Sequence, residues 1–384
     1  MLALSFALPS LLVRILQIEL APEHAVVIFG SAIVASAVLL AWAAEAAQKD
    51  IPASLAFAIL ALIAVLPEYA VDLYFAYTAG HKPEYAQYAA ANMTGSNRLL
   101  IGFGWPMVAL IFAVAARRKK LASIVVHLEP NRRVEIAFLA LASIYAFVIP
   151  LTRRLSLFDS LFFLALFVAY GIRVSREELS EPELLGVAEK LASLPRGRRM
   201  ATVSGLFLCA AAFILAAAEP FAESLVSAGK SLGIDEFLLV QWIAPLASEG
   251  PEMIVAAILA WRANSNAAIG TLLSSKVNQW TLLVGSIPLA YAVGGGGLFM
   301  EMDARQNEEF FLTAAQTVLG IAIFIDLEFR PHETVMLLLL FLLQFPFPQQ
   351  EVRIGFSVAY LVIAAFILIT RRDQIKKVFR SLRA

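Results

Sequence analysis

The chain has 384 residues, of which 60% are apolar and only 16% charged, against roughly 45–50% and about 25% in an ordinary soluble domain, which excludes a water-soluble enzyme. Its 30 Lys and Arg balance 30 Asp and Glu, so no overall field attracts nucleic acid or an acidic partner. The single cysteine, Cys209, excludes an intramolecular disulfide and a thiolate metal centre.

A bilayer core about 30 Å thick takes roughly 20 helical residues to cross. The sequence predicts about eleven such segments, over 24–47, 53–79, 85–116, 134–151, 156–172, 201–228, 237–261, 265–293, 310–327, 333–347 and 352–370. Before them, Leu2 to Leu20 is interrupted by Pro9 and Arg14. No small-residue cleavage site follows, so this stretch is read as an anchor or interfacial helix. The expected fold is an all-α polytopic membrane protein.

Short positive loops stay in the cytoplasm. One side collects the groups Arg117 to Lys120 with Arg132 and Arg133, Arg173 to Arg199, and Arg371 to Arg383, and holds 21 of the 30 basic residues against seven on the other. The N-terminus is therefore expected outside and the C-terminus in the cytoplasm. Arg98 and Lys276 are left over, inside predicted helices. The longest polar connection, 173–200, separates a first membrane half (1–172) from a second (201–384) with a basic tail, and is too short for a folded regulatory domain. Gly294 to Gly297, followed by Glu301, Asp303, Glu308 and Glu309, reads as a flexible outside connector with an acidic loop, since a phosphate cradle would need a preceding strand and a following helix.

Two segments break the apolar pattern. In the second predicted helix Pro67-Glu68-Tyr69-Ala70-Val71-Asp72 puts a proline and two carboxylates in mid-span, and in the seventh Ser248-Glu249-Gly250-Pro251-Glu252 does the same. The helix after each carries a polar turn: Asn92-Met93-Thr94-Gly95-Ser96-Asn97, then Thr271 to Lys276 with Ser274 and Ser275. Pro67 lies 29 residues before Ser96 and Pro251 lies 24 before Ser275, an internal duplication with a longer link in the first copy. Five helices separate the copies, an odd step, so they cross the membrane in opposite directions. Inverted repeats of this kind surround the midplane sites of secondary transporters.

A proline at these positions frees the carbonyls of Ile63 and Ala247, and such oxygens persist at membrane depth only where protein or a water-filled cavity satisfies them. A carboxylate beside a freed carbonyl, with Asn and Ser from the next helix, is a hard-oxygen cage suited to calcium, sodium or a proton. Gly95 and Gly250 would let the helices approach closely. Glu68 and Asp72 are four apart and Glu249 and Glu252 three apart, so each helix can aim two carboxylates to one side. Against these four acids stand Arg98 and Lys276, leaving two net negative charges if all six meet in one cavity, which specifies a cation site. Intramembrane acids are costly and functional by default. Glu68 and Glu252 are read as cation ligands, Asp72 and Glu249 as either ligands or partners of the two cations, and Arg98 as a fixed counter-ion. Glu219 reads as interfacial. His24, His81, His127 and His332 fall at helix ends without an i, i+4 pair, which excludes a zinc site. The aromatic residues read as lipid-facing and interfacial packing.

These residues resemble the calcium/cation antiporter superfamily, the sodium/calcium and cation/proton exchangers, over roughly 60–105 and 243–290. The resemblance implies ten core helices in two inverted repeats of five, with an eleventh added at the C-terminus. It implies that Glu68 and Glu252 are the central ion-binding glutamates (calcium or sodium), with Asn92, Ser96 and Asn97 in the first copy and Ser248, Gly270 and Ser275 in the second. Departures accompany it: Ala64 and Val65 stand where hydroxyls are usual, Glu249 where the second copy has serine, Arg98 for an apolar residue, and Lys276 for the acid or amide. An ammonium at an ion-binding position acts as a tethered cation.

The expected function is a cation antiporter exchanging calcium or sodium for protons, with a sodium-driven calcium exchanger as the alternative. It needs no cofactor; its partners are inorganic cations and the lipid bilayer, with the oligomeric state open. A prokaryotic inner membrane is favoured, the N-terminus lacking transit-peptide composition. A degenerate exchanger serving as scaffold or sensor, its site closed by Lys276, is a further reading. An intramembrane aspartyl enzyme is disfavoured, because Asp72 has no facing aspartate in the repeats.

Overall fold

The computed structural model describes residues 2–50, 66–175, 184, 186–345, 347 and 349–382. Residues 53–65 of the helix expected over 53–79, among them Ile63 with the carbonyl expected to be freed, Ala64 and Val65, lie outside the described residues, as do Arg176 and Arg383. What is described is almost entirely helical, with two short strand pairs. Seven stretches are long and apolar enough to cross a membrane: Pro22–Ala47, Pro83–Arg118, Pro130–Thr152, Leu157–Val174, Arg196–Leu232, Glu236–Trp261 and Gln350–Thr370. Leu208, Leu215, Phe366 and Ile369 are exposed on such stretches, the apolar exterior that lipid requires. The protein is an integral membrane protein.

The described residues of the other four expected spans are also helical. Of the span expected over 53–79 only Leu66–Ala79 (α3), 14 residues, is described; Ser265–Val293 carries the polar motif, Ala304–Phe324 (α14) opens with charged turns, and Pro331–Leu342 (α15) is short.

The chain divides into two compact units. The first holds residues 1–75 and 171–251. Here α2 (Pro22–Ala47) packs along α10 (Arg196–Leu232), with Leu39 and Leu40 against Ala210 and Ile214, and Ala43, Ala46 and Ala47 against Val203. Small residues let the helix backbones approach. α1 (Leu2–Ile15) lies on both, and Arg14 pairs with Glu219 at 2.8 Å in an exposed position. Asp50, just past α2, receives two hydrogen bonds of 2.6 Å from Arg199.

The second unit holds residues 76–170 and 252–384. Its centre is α4 (Ala86–Leu99) and α12 (Ser265–Asn278), each 14 residues long. Each then widens into a five-residue π turn, Leu100–Gly104 and Gln279–Leu283, before continuing as α5 (Trp105–Arg118) and α13 (Val284–Val293). The two run antiparallel. At one end Lys119 donates to the carbonyl of Arg262 at 2.6 Å and the Glu129 amide to Asn266 Oδ1 at 3.0 Å, so α5 ends where α12 begins. At the other, His81 meets the Gly294 carbonyl at 3.3 Å, so α4 starts where α13 ends. This is the inverted duplication expected from the two motifs.

The strand pairs sit at those same ends. Val126–His127 (β1) pairs with Glu328–Phe329 (β4), and Arg154–Ser156 (β2) with Phe299–Glu301 (β3). Around the centre pack α6 (Arg133–Ala146), α7 (Val148–Thr152), α8 (Leu157–Val174), α14, α15 and α16 (Gln350–Thr370), and the chain closes with α17 (Arg372–Arg380). α11 (Glu236–Trp261) contributes residues to both units. It runs unbroken through Pro251, so no break occurs there; the missing amide of Pro251 still removes the partner of the Ala247 carbonyl.

Two sequence expectations are corrected in this unit. Glu308 and Glu309 are not in a loop: Asp303 Oδ1 caps α14 by accepting from the Gln306 amide at 2.8 Å, and both glutamates are buried on the second turn. Nor is Gly294 part of a loose connector, because a Cβ there would sit 1.9 Å from the Tyr77 carbonyl oxygen.

Candidate ion-binding site

The acids singled out in the sequence are buried or partly buried in apolar helices. In the first unit α3 brings Glu68 and Asp72 to one side, as their i, i+4 spacing requires. Tyr69 lies within electrostatic range of Glu68, Asp72 and Glu249 of α11, so these three carboxylates share one neighbourhood. Ser248, one residue before Glu249, turns its hydroxyl to the Ala244 carbonyl at 3.1 Å, within its own helix.

In the second unit Glu252 accepts a hydrogen bond from Ser275. Next to it in sequence, Lys276 is fully buried. Its ammonium donates to Asn97 Oδ1 at 2.5 Å and to the Asn97 carbonyl at 3.3 Å, and lies over the Trp280 ring, 4.4 Å from the centroid. The Asn97 amide nitrogen donates to the Met93 carbonyl at 2.8 Å, which fixes the amide with its oxygen toward the lysine. Two carbonyl oxygens and an aromatic face are a cation's coordination shell, and the ammonium fills it.

Asn92 and Ser96 occupy successive turns of α4 on one face. The Ser96 hydroxyl donates to the Asn92 carbonyl at 3.0 Å. The Asn92 side chain is fully buried, and neither its oxygen nor its nitrogen has a hydrogen-bond partner among the described residues. Glu252 is partly buried, and its Oε2 atom is likewise enclosed without a hydrogen-bond partner among the described residues. Orphaned polar atoms of this kind cost about 1–3 kcal/mol each and call for a ligand or water. Among the described residues no three Asp, Glu, His or Cys side chains are grouped to hold a metal ion. The oxygens grouped here are therefore amide, hydroxyl and backbone oxygens beside the single carboxylate of Glu252.

Arg98 does not join this set. Its guanidinium pairs with Glu309 of α14 and with Gln344, Arg353 of α16 pairs with the other oxygen of Glu309, and Gln344 donates to the Tyr360 hydroxyl at 2.7 Å. Arg98 is a counter-ion, as its chemistry suggested, but to Glu309, so it drops out of the expected charge sum. Arg353 is likewise buried. The sequence did carry the signal: Asp303 with Gln306 three residues on is a helix-start pattern, and it carries Glu309 one full turn into α14.

The model of the sodium/calcium exchanger protein family matches residues 24–175 and 202–371. The chain belongs to this family. It is similar to the crystal structure of an H+/Ca2+ exchanger, CAX, at 44% identity, with 99% of this chain and 96% of that one covered and a TM-score of 0.94. Native YfkE is similar at 16% identity, 94% and 98% coverage and a TM-score of 0.64. The sodium-calcium exchanger NCX_Mj is similar at 15%, 84% and 96% coverage and 0.56, and these last two likenesses concern the fold alone. No curated protein matches the chain. Membership of a transporter family answers the enzyme reading: the protein is a polytopic cation exchanger by family, not an enzyme.

Proposed function

We propose that the chain exchanges calcium, or sodium, for protons by alternating access, with Glu68 and Glu252 as the carboxylates that bear the cation and the protons in turn. Asn92, Ser96, Asn97, Ser248 and Ser275 supply neutral oxygens, and Asp72 and Glu249 complete the acidic neighbourhood of Glu68. The observation that carries the reading is the orphaned pair of polar groups in the second unit, the Asn92 amide and Glu252 Oε2, buried in a transporter fold. The 44% likeness to a calcium/proton exchanger supports calcium as the cation.

Lys276 is the tethered cation of this site. A permanent ammonium on Asn97 oxygens takes the place of one monovalent ion, which favours proton-coupled over sodium-driven exchange. The excess of basic residues on one side supports an N-terminus outside and a cytoplasmic C-terminus in a prokaryotic plasma membrane.

The test is calcium and sodium uptake into proteoliposomes under an imposed pH gradient, for the wild type, Glu68→Gln and Glu252→Gln. Gradient-driven flux in the wild type and its loss in both variants is the expected result. Flux that requires a sodium gradient instead identifies the sodium-driven exchanger, and no flux under either gradient identifies a site closed by Lys276.

A further inference from the structure

The last two helices carry a band of uncompensated positive charge next to the bilayer. α16 is an apolar helix of 21 residues ending at Thr370, and after Arg371 alone the chain enters α17. Arg371 is held in place: it donates to the Ile323 carbonyl at 2.9 Å and pairs with Asp326 and Glu333, which ties the start of α17 to the end of α14 and the start of α15. α17 therefore belongs to the folded unit. It packs against α6, with Val378 fully buried and Ile375 and Phe379 partly so.

The opposite face of α17 is basic. Arg372, Lys376 and Arg380 recur every fourth residue, Lys377 lies beside them, and all four are exposed. Successive members of that row are about 6 Å apart along the helix. No hydrogen bond or ion pair among the described residues engages any of them, and Asp373 is the only acid in the helix. The acids closest in the chain path, Asp326 and Glu333, are already taken by Arg371 and Arg330. The same end of the unit carries the exposed run Arg117 to Lys120 and Arg262, which adds to the excess.

A nine-residue helix is about 13 Å long and begins one residue beyond a spanning helix. Its charges therefore lie within about a Debye length, 8–10 Å, of the lipid headgroups. We propose that this face of α17 binds anionic phospholipid headgroups, with Arg372, Lys376, Lys377 and Arg380 on the lipid phosphates. The charges are strung along the helix and do not converge on a point, so they fit a layer of headgroups and not a single free phosphate. Basic residues on an amphipathic helix beside a membrane helix are attracted to anionic lipid one by one, and salt weakens each.

The test uses the full-length protein in neutral detergent, titrated with short-chain phosphatidylglycerol, short-chain phosphatidylcholine or glycerol 1-phosphate, with binding read by native mass spectrometry. Phosphatidylglycerol is expected to bind about tenfold more tightly than phosphatidylcholine, with the preference shrinking as salt rises. Combined Arg372→Gln, Lys376→Gln, Lys377→Gln and Arg380→Gln should abolish the preference, and Lys376→Arg with Lys377→Arg should keep it. Equal affinity for the two lipids, a preference insensitive to salt, or a preference unchanged in the four-site variant overturns the proposal. Glycerol 1-phosphate displacing the lipid at equal concentration identifies a free-phosphate site and also overturns it.

Discussion

Lys276 and Asn97, joined by a 2.5 Å hydrogen bond, hold the same place in the two repeats: each is the third residue before its π turn. Equivalent residues of an inverted pair meet only where the two copies cross. A duplicated ligand at that crossing would face its own twin, and here the twin has become a cation. The first repeat supplies the acceptor and the second the charge.

That asymmetry predicts the ion dependence. Wild-type calcium flux should not be stimulated by a sodium gradient, and Lys276→Asp, which turns the tethered cation into a cation ligand, should make calcium flux sodium-stimulated. Lys276→Met should lower the melting temperature in detergent, because Asn97 Oδ1 is left a buried unpaired acceptor at a cost of about 1–3 kcal/mol. Wild-type uptake that already rises with sodium contradicts the assignment.

Ser275 donates to the Glu252 carboxylate. Hydrogen bonds to a charged group contribute about 1.5–3 kcal/mol, so Ser275→Ala should shift the KM for calcium by roughly tenfold or more with the fold intact. Radiolabelled uptake against calcium concentration reads this, and an unchanged KM removes Ser275 from the site.

Glu309 pairs with both Arg98 and Arg353 in the interior, with Glu308 3.7 Å from Arg353 as the second carboxylate. Removing one partner of a buried ion pair typically costs about 3–5 kcal/mol, so Glu309→Gln should lower thermal stability sharply. Combining it with Arg98→Gln should recover part of the loss, a coupling that a double-mutant cycle measures. Additive losses would mean that the two side chains do not depend on each other.

At the end of α2 the hydrogen bonds from Arg199 hold the Asp50 carboxyl below the usual carboxylate range, with Arg196 adding to the effect. A folded-state value depressed below the unfolded one stabilises the protein above the unfolded value of about 3.9 and is lost as pH falls through the folded value. Melting temperatures of wild type and Asp50→Asn should therefore differ at pH 6 and converge in strong acid. A constant difference down to the acid limit would separate the two residues energetically.

Helix positions were legible because apolar runs of bilayer length have one stable outcome in lipid. The repeats were legible because Pro67-Glu68 and Pro251-Glu252 are rare words in such runs. What the sequence concealed was partnership. Arg98 and Lys276 look alike as lone intramembrane cations, yet one turns to Glu309 and the other to Asn97, a choice made by tertiary packing. Hydropathy also misled at Glu308 and Glu309, where local polarity suggested a loop although Asp303 and Gln306 start a helix before them. The π turns were invisible, since nothing in Leu100–Gly104 or Gln279–Leu283 marks a change in helical winding.

Those turns carry a record of ancestry. A π turn accommodates one residue more than an α turn, so each marks an added residue, and both follow a 14-residue helix at the equivalent step. Two independent insertions at matching points are far less economical than one. The matched turns are what duplication of one half that already carried the extra residue would produce.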